Sequence, residues 1–206
     1  MLIPLQTLVS KYSLNISGII HIGAHYGQEF KEYEKFGIDN LIFFEPVKRN
    51  YEGLIKNLPK SNKIKTFNLA LGNETGKKDM FIEQANFGQS NSLLEPSHHL
   101  KQYPNIKFTD KETVKIDKLD NIEYDRSLYN MINIDVQGFE LEVFKGAKES
   151  LKSINIIYSE INLVEMYKGC VLVHELDNFL KQFGFYRILS DAHYKTWGDA
   201  LYLRYD

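Results

Sequence analysis

Two glycines, Gly23 and Gly27, sit four residues apart around His25 in GIIHIGAHYGQEF, residues 18–30, where an apolar run breaks and a helical pattern begins. Glycine reaches backbone conformations that a Cβ forbids, so such a turn brings main chain close to a ligand. Carboxylates close three other apolar runs: Glu45 after NLIFF (40–44), Asp135 in YNMINIDV (129–136) and Glu160 in INIIYSEI (154–161). Singly, each suits a helix start, where acidic groups meet unpaired backbone N–H groups. As a set they mark a ligand edge. Glu45 lies 22 residues beyond Gly23, the spacing at which a carboxylate meets a ribose diol in nucleotide-binding folds.

A dinucleotide calls for G-x-G-x-x-G and a phosphate loop for G-K-[ST]; the turn has neither. Rich in carboxylate and poor in cations, the edge suits a nucleoside that carries positive charge and no phosphate. S-adenosylmethionine, a sulfonium with a ribose and an amino-acid tail, meets that description. A hydroxyl acceptor for its methyl group needs a base, and Asp135 is the first candidate for a group facing the reacting centre, Glu160 the second. Tyrosine and histidine in the insertion, His98 and His99 above all, are further candidate bases, although adjacent histidines in a polar loop are more often solvated. Divalent metal would need two or more carboxylates in reach, and nothing in the pattern demands it.

These residues need a scaffold that gathers strand ends. GIIHI (18–22) leads into a helix with Phe30, Tyr33 and Phe36 on one face and Gly37 as its stop; NLIFF leads into a helix over 48–58. KIKTFNLAL (63–71) reads as a third strand ending near Ala70 and Leu71. Beyond YNMINIDV a helical stripe runs through Leu141, Phe144, Lys148 and Leu151, and beyond INIIYSEI another presents Val173, Leu176, Leu180 and Phe183. FYRILSD and DALYLRYD form a closing hairpin. Strands apolar on both faces and separated by helices imply a mostly parallel sheet covered on both sides, with right-handed crossovers and an antiparallel C-terminal edge. Residues 72–128 break the rhythm with turn signals and two strand-like pieces, KDMFIE and ETVKIDKL. They are expected to form an insertion of hairpins and loop with one crossover helix, on the acceptor side of the ligand edge.

At 206 residues the chain fits one domain, 1–206, with a sizeable core. A net charge of −2 provides no global field for nucleic acid or an anionic membrane, so neither is expected as a partner. The single cysteine, Cys170, permits no intrachain disulfide and fits a reducing compartment. MLIPLQTLVSKYSL has no basic leader, and no apolar stretch approaches the roughly 20 residues that span a bilayer. A cytoplasmic location is expected; the oligomeric state stays open.

The blocks HIGAHYGQE, FFEP, NLALGNETG, SNSL, VKIDKLD, INIDVQGFELEVFKGAKESL and WGDALYLR together resemble the FkbM family of S-adenosylmethionine-dependent methyltransferases. They run in family order from residue 18 to the end, and the long block around Asp135 is the most specific. The resemblance implies a three-layer, Rossmann-like class I methyltransferase fold and O-methylation of a hydroxyl on a sugar or related small molecule. It places cofactor contacts at Gly23, Ala24, His25, Gly27, Gln28, Glu45, Pro46, Ala70, Leu71, Ser92 and Asp135, with His25 able to donate to the cofactor's carboxylate. The family usually has an acidic residue where His21 stands, asparagine at His25, lysine at Asn133 and often glutamate at Gln137. His21, inside a strand, reads as a hydrogen-bonded core histidine. Two other classes share parts of the pattern: an NAD-binding oxidoreductase, and a catalytically silent cofactor-binding or scaffold member.

Overall fold

The computed structural model describes residues 2–193 and 195–205. Its centre is a seven-stranded sheet in the order β3-β2-β1-β7-β8-β10-β9. The strands are β1 (Gly18–Ile22), β2 (Asn40–Phe44), β3 (Ile64–Phe67), β7 (Met131–Ile134), β8 (Ile156–Asn162), β9 (Phe185–His193) and β10 (Trp197–Arg204). β1, β2, β3, β7 and β8 run parallel, and β10 enters antiparallel between β8 and β9.

Alternate strand residues face opposite ways, so each strand supplies two cores. Ile20, Ile22, Ile42, Phe44, Ile132 and Ile134 pack under α5 (Glu140–Lys145) and α6 (Val173–Lys181). Ile19, Leu41, Phe43 and Met131 pack under α1 (Leu5–Tyr12), α2 (Phe30–Lys35) and α3 (Lys48–Asn57), through Leu5, Leu8, Tyr33 and Leu54. Helices on both faces make the three layers expected from strands apolar on both sides.

Four expectations change. The run 63–71 is two strands: after β3, Asn68 Nδ2 donates to the carbonyls of Glu45 and Pro46, and the chain leaves the main sheet. Ala70–Leu71 becomes β4 of a separate three-stranded sheet, β4-β6-β5, with β5 (Gly76–Glu83) and β6 (Phe108–Asp117) as an antiparallel hairpin. The expected crossover helix of 72–128 is only the five-residue α4 (His98–Gln102), held where the Ser97 and His99 N–H groups donate to Met166 O. The helical stripe after Asp135 breaks at Gly146, so Leu151 lies on a 3-10 turn (Ser150–Ser153). There Gly146 lies so close to Gly72 that an added Cβ would meet the Gly72 carbonyl oxygen at 1.9 Å.

Candidate active site

The chain runs from β1 out to β3 and returns to β7 on the other side of β1, so strand order reverses between β1 and β7. In open α/β sheets ligands bind outside the carboxyl ends of the strands at that point. A cleft of about 450 Å³ lies there, within the roughly 300–1,000 Å³ usual for small-molecule sites.

One end of the cleft is the turn after β1. Gly23 has φ +82°, and a Cβ there would lie 1.9 Å from the Asp135 carbonyl oxygen. Only glycine lets β1 and β7 separate this tightly. The Gly23 and Ala24 N–H groups both donate to Phe44 O, at 3.0 and 2.9 Å. Glu45 is buried, and its two oxygens accept from the His25 and Val47 N–H groups, each at 2.9 Å. One carboxylate thus ties the glycine turn to the start of α3. Burial pushes it up to about 7 despite those bonds.

His25, at φ +49°, directs its ring at the insertion. Nε2 lies 2.8 Å from Phe87 O, and Nδ1 lies 2.7 Å from Gln28 Nε2. A carbonyl only accepts and an amide N–H₂ only donates, so the tautomer is Nε2–H with Nδ1 as acceptor. Both ring nitrogens are therefore occupied within the protein, and the ring clasps the loop 84–91 rather than reaching for a carboxylate. Buried Glu83 holds that loop from the other side, accepting from Asn86 N and Ser90 N at 2.7 and 3.3 Å.

At the middle of the cleft Asp135 projects exposed beyond β7. The backbone-capping role open to it belongs to Glu140, whose Oε1 accepts from Val136 N and Gly138 N, each at 3.1 Å. Gln137 Nε2 instead bridges Asp135 Oδ1 and Glu160 Oε2, at 2.7 and 3.0 Å. Glu160 does not end its strand: β8 continues to Asn162, and Glu160 stands opposite Asp199 of β10. Burial and the neighbouring Asp135 charge push the Glu160 carboxyl well above its usual range. Among the described residues no group of three or more His, Cys, Asp or Glu side chains could hold a metal ion.

Of the residues singled out from sequence, Gly23, Ala24, His25, Gln28, Glu45, Pro46, Ala70, Leu71, Asp135 and Glu160 line the cleft; Gly27 and Ser92 do not. A Cβ on Gly27 would meet Leu54 Cδ1 at 2.7 Å, so this glycine lets the turn pack on α3. Ser92 is buried; its Oγ donates to Gln137 O at 2.8 Å and accepts from Leu94 N at 3.0 Å. Its neighbours Ser90 and Asn91 face the cleft instead. His21 is the core histidine its place in β1 suggests, bonded to Tyr33 Oη at 3.2 Å, and burial lowers its pKa.

At the far end His99, a candidate base from the sequence, lines the wall, together with Tyr103, Asn162, Met166, Tyr167 and Trp197, which sequence reasoning did not single out. His99 is buried, not solvated, its ring 5.4 Å from that of Tyr167. Tyr167 Oη donates to Gln137 Oε1 at 2.6 Å, which connects this wall to the carboxylates. The available signal was WGDALYLR: period-2 alternation in β10 puts Trp197 and Asp199 on one face. Glu140, inside a helical pattern, carried no sign of its buried role.

Strand order, the glycine turn at the β1/β7 reversal and the acidic strand ends define a class I methyltransferase fold. Solved structures agree on the fold. Magnesium protoporphyrin IX methyltransferase from Synechocystis, with bound SAM, superposes at TM-score 0.55, 8% identity, over 97% of this chain and 76% of that one. The methyltransferase domain of bacterial CtHen1-C gives 0.52 at 9% identity, over 98% and 97%. Burkholderia thailandensis 1,6-didemethyltoxoflavin-N1-methyltransferase, with bound S-adenosylhomocysteine, gives 0.51 at 8% identity, over 98% and 76%. More specifically, residues 21–186 match the methyltransferase FkbM domain, and the chain belongs to that family. The 2-O-methyltransferase NoeI of Sinorhizobium fredii is similar to it at 25% identity over 173 residues, 80% of this chain and 71% of that protein.

Proposed function

We propose that the protein is an S-adenosylmethionine-dependent O-methyltransferase acting on a hydroxyl of a sugar or related small molecule. The observation that carries this reading is the acidic make-up of the cleft: the carboxyl groups of Glu29, Glu45, Asp135, Glu160 and Asp199 line it, and no Lys or Arg does among the described residues. The residues fit the cofactor. Glu45 has its position set by two backbone donors and keeps lone pairs for a ribose diol. Gly23 provides the close backbone approach that a side chain would block. Asp135, an exposed carboxyl group at the end of β7, suits a cationic amino-acid end or the reacting hydroxyl. Bound there, the cofactor supplies an electrophilic methyl group on a sulfonium.

The chain's own part is to bind, orient and deprotonate. Asp135 orients the hydroxyl and draws its proton, held in place by Gln137. The clasp between His25 and Phe87 fastens the loop 84–91 to the glycine turn and keeps that end of the cleft pre-formed. The similarity to a 2-O-methyltransferase supports a hydroxyl acceptor. The absence of cationic side chains from the cleft argues against a phosphate-bearing chain such as nucleic acid. Among the described residues no helix is long and apolar enough to cross a membrane.

Calorimetry with S-adenosylhomocysteine, S-adenosylmethionine and NAD tests the cofactor. The expected result is about micromolar affinity for the first two, roughly −8 kcal/mol, and none for NAD. Affinity for NAD alone would place the protein among oxidoreductases. Cofactor affinity with no methyl transfer to any hydroxylated acceptor would support a silent member.

A further inference from the structure

The far end of the cleft has a chemistry of its own. Trp197 stands opposite Asn162 in the β8–β10 ladder, and its Nε1 donates to Tyr103 Oη at 2.8 Å, joining β10 to the segment after α4. Gln102 Nε2 donates to the same oxygen at 3.0 Å. A phenol oxygen with two N–H donors still has its own proton to give, and no acceptor takes it among the described residues. Further polar atoms here are unmatched, Gln102 Oε1 beside Tyr103 among them. His99 is 4% exposed and Asn162 2%, yet His99 Nδ1 and Asn162 Nδ2 have no hydrogen-bond partner. A buried polar group left unpaired costs about 1–3 kcal/mol, so two on one cleft wall point to a partner that arrives from outside. Between them stand the half-buried Trp197 and the buried Met166 and Tyr167.

Donors, an imidazole and aromatic surface interleaved in this way match a ring with hydroxyls at its edge and C–H groups on its face. The lack of cations restricts it further. Asp199 and Glu160 line the cleft beside this wall, and with no Lys or Arg lining it among the described residues nothing offsets a phosphate's charge. Burial keeps the His99 imidazole below its usual pKa, so it is neutral and can accept from a hydroxyl. We propose that this wall is the methyl-acceptor subsite, that it takes an uncharged, phosphate-free polyhydroxylated ring, and that Tyr103, His99 and Asn162 bind its hydroxyls while Trp197 packs against its apolar face. The proposal rests on the O-methyltransferase reading and adds where the acceptor docks and what it cannot carry. A sugar would be met as a free or glycan-linked residue, not as a nucleotide-linked or phosphorylated one.

Trp197 is the sole tryptophan of the chain, so intrinsic fluorescence reports on this wall directly. The test titrates the full chain, with and without S-adenosylhomocysteine, with methyl glycosides of glucose, mannose, a 6-deoxyhexose and N-acetylglucosamine, and in parallel with hexose 1-phosphates and a UDP-hexose. Saturable fluorescence change is expected with at least one neutral glycoside at about millimolar concentration, and about tenfold weaker or no binding by phosphorylated forms. Equal or tighter binding of the phosphorylated forms overturns the proposal, and so does silence from every neutral glycoside. Asn162→Ser and His99→Phe, the second keeping an aromatic ring in the cluster, are each expected to weaken the bound glycoside about tenfold while S-adenosylhomocysteine affinity stays within about twofold. Unchanged glycoside affinity in both folded variants overturns the assigned roles. S-adenosylhomocysteine binding without glycoside binding would sink the subsite alone; the reverse would sink the cofactor reading and leave the subsite standing.

Discussion

The two ends of the cleft differ in how far they satisfy themselves. At the glycine turn the polar groups have partners inside the protein: Glu45 accepts from His25 and Val47 and keeps further lone pairs, the His25 ring meets Gln28 and Phe87, and the first turn amides donate to Phe44. At the Trp197 wall, His99 Nδ1 and Asn162 Nδ2 have no partner. A site that binds one invariant cofactor benefits from rigid, pre-formed geometry, since ordering is then complete before the ligand arrives. A wall that leaves polar atoms unmatched gains hydrogen bonds only on binding, and these favour one ligand over another. On the proposed reading, the difference separates the end that holds the methyl donor from the end that selects its acceptor.

Rigidity at the first end breaks most completely with Gly23→Ala. The new Cβ would lie 1.9 Å from the Asp135 carbonyl, at φ +82°, so a loss of roughly 2–5 kcal/mol is expected from backbone strain and overpacking. Urea unfolding and S-adenosylhomocysteine calorimetry should both record it; retention of both would mean the turn yields easily.

Asp135→Asn probes the boundary between the ends. The amide oxygen can still accept from Gln137, and Glu140 retains the backbone cap, so the melting temperature should hold. Single-turnover methylation should fall about 10²-fold or more. A variant that melts early yet turns over normally would assign Asp135 a structural role.

Glu45→Gln should weaken S-adenosylhomocysteine by about 1–3 kcal/mol. It should also lower stability, because a side-chain amide offers one accepting oxygen where two backbone N–H groups need one each. Unchanged affinity in a destabilised variant would make Glu45 a tie between turn and helix only.

The same carboxylates give the protein a pH dependence with a definite sign. Glu45 and Glu140 are pushed from 4.5 up to about 7 by burial, and Glu160 is also raised well above its usual range. A folded-state pKa above the unfolded one means the folded state binds more protons, so stability falls as pH rises through the folded value. The buried His21 and His99 titrate below 6.5 and act in the opposite direction there. Above pH 6.5 that opposing effect fades as the unfolded imidazoles lose their protons, and urea midpoints of the ligand-free protein should decline from pH 6.5 to 8. Glu45→Gln should flatten that decline. A rising or level profile in the parent protein would contradict the carboxylate burial.

Ser92→Ala should have the smallest effect. Losing the Oγ that joins Gln137 O to Leu94 N should cost about 1 kcal/mol of stability and leave S-adenosylhomocysteine affinity unchanged. A clear loss of cofactor affinity would bring the SNSL segment into the cofactor end.

What the sequence determined by itself is local and periodic. Apolar runs such as GIIHI and NLIFF become buried parallel strands, because residues apolar on both faces leave a chain no other low-energy place. Gly37 stops its helix with φ +66°, and the C-terminal runs pair as a hairpin. Short-range chemistry also placed Gly23, Glu45 and Asp135 at strand ends, where the cleft forms. Tertiary structure alone decided which polar groups satisfy each other. Glu140 caps the turn that Asp135 might have capped, and Asn68 splits the run 63–71 into strands of two sheets. His99, in a stretch that reads as polar loop, is buried against Tyr167, 68 residues further along the chain. The physical reason is range: periodicity and turn chemistry act over a few residues, whereas hydrogen-bond partners and desolvation depend on groups brought together only when the sheet assembles.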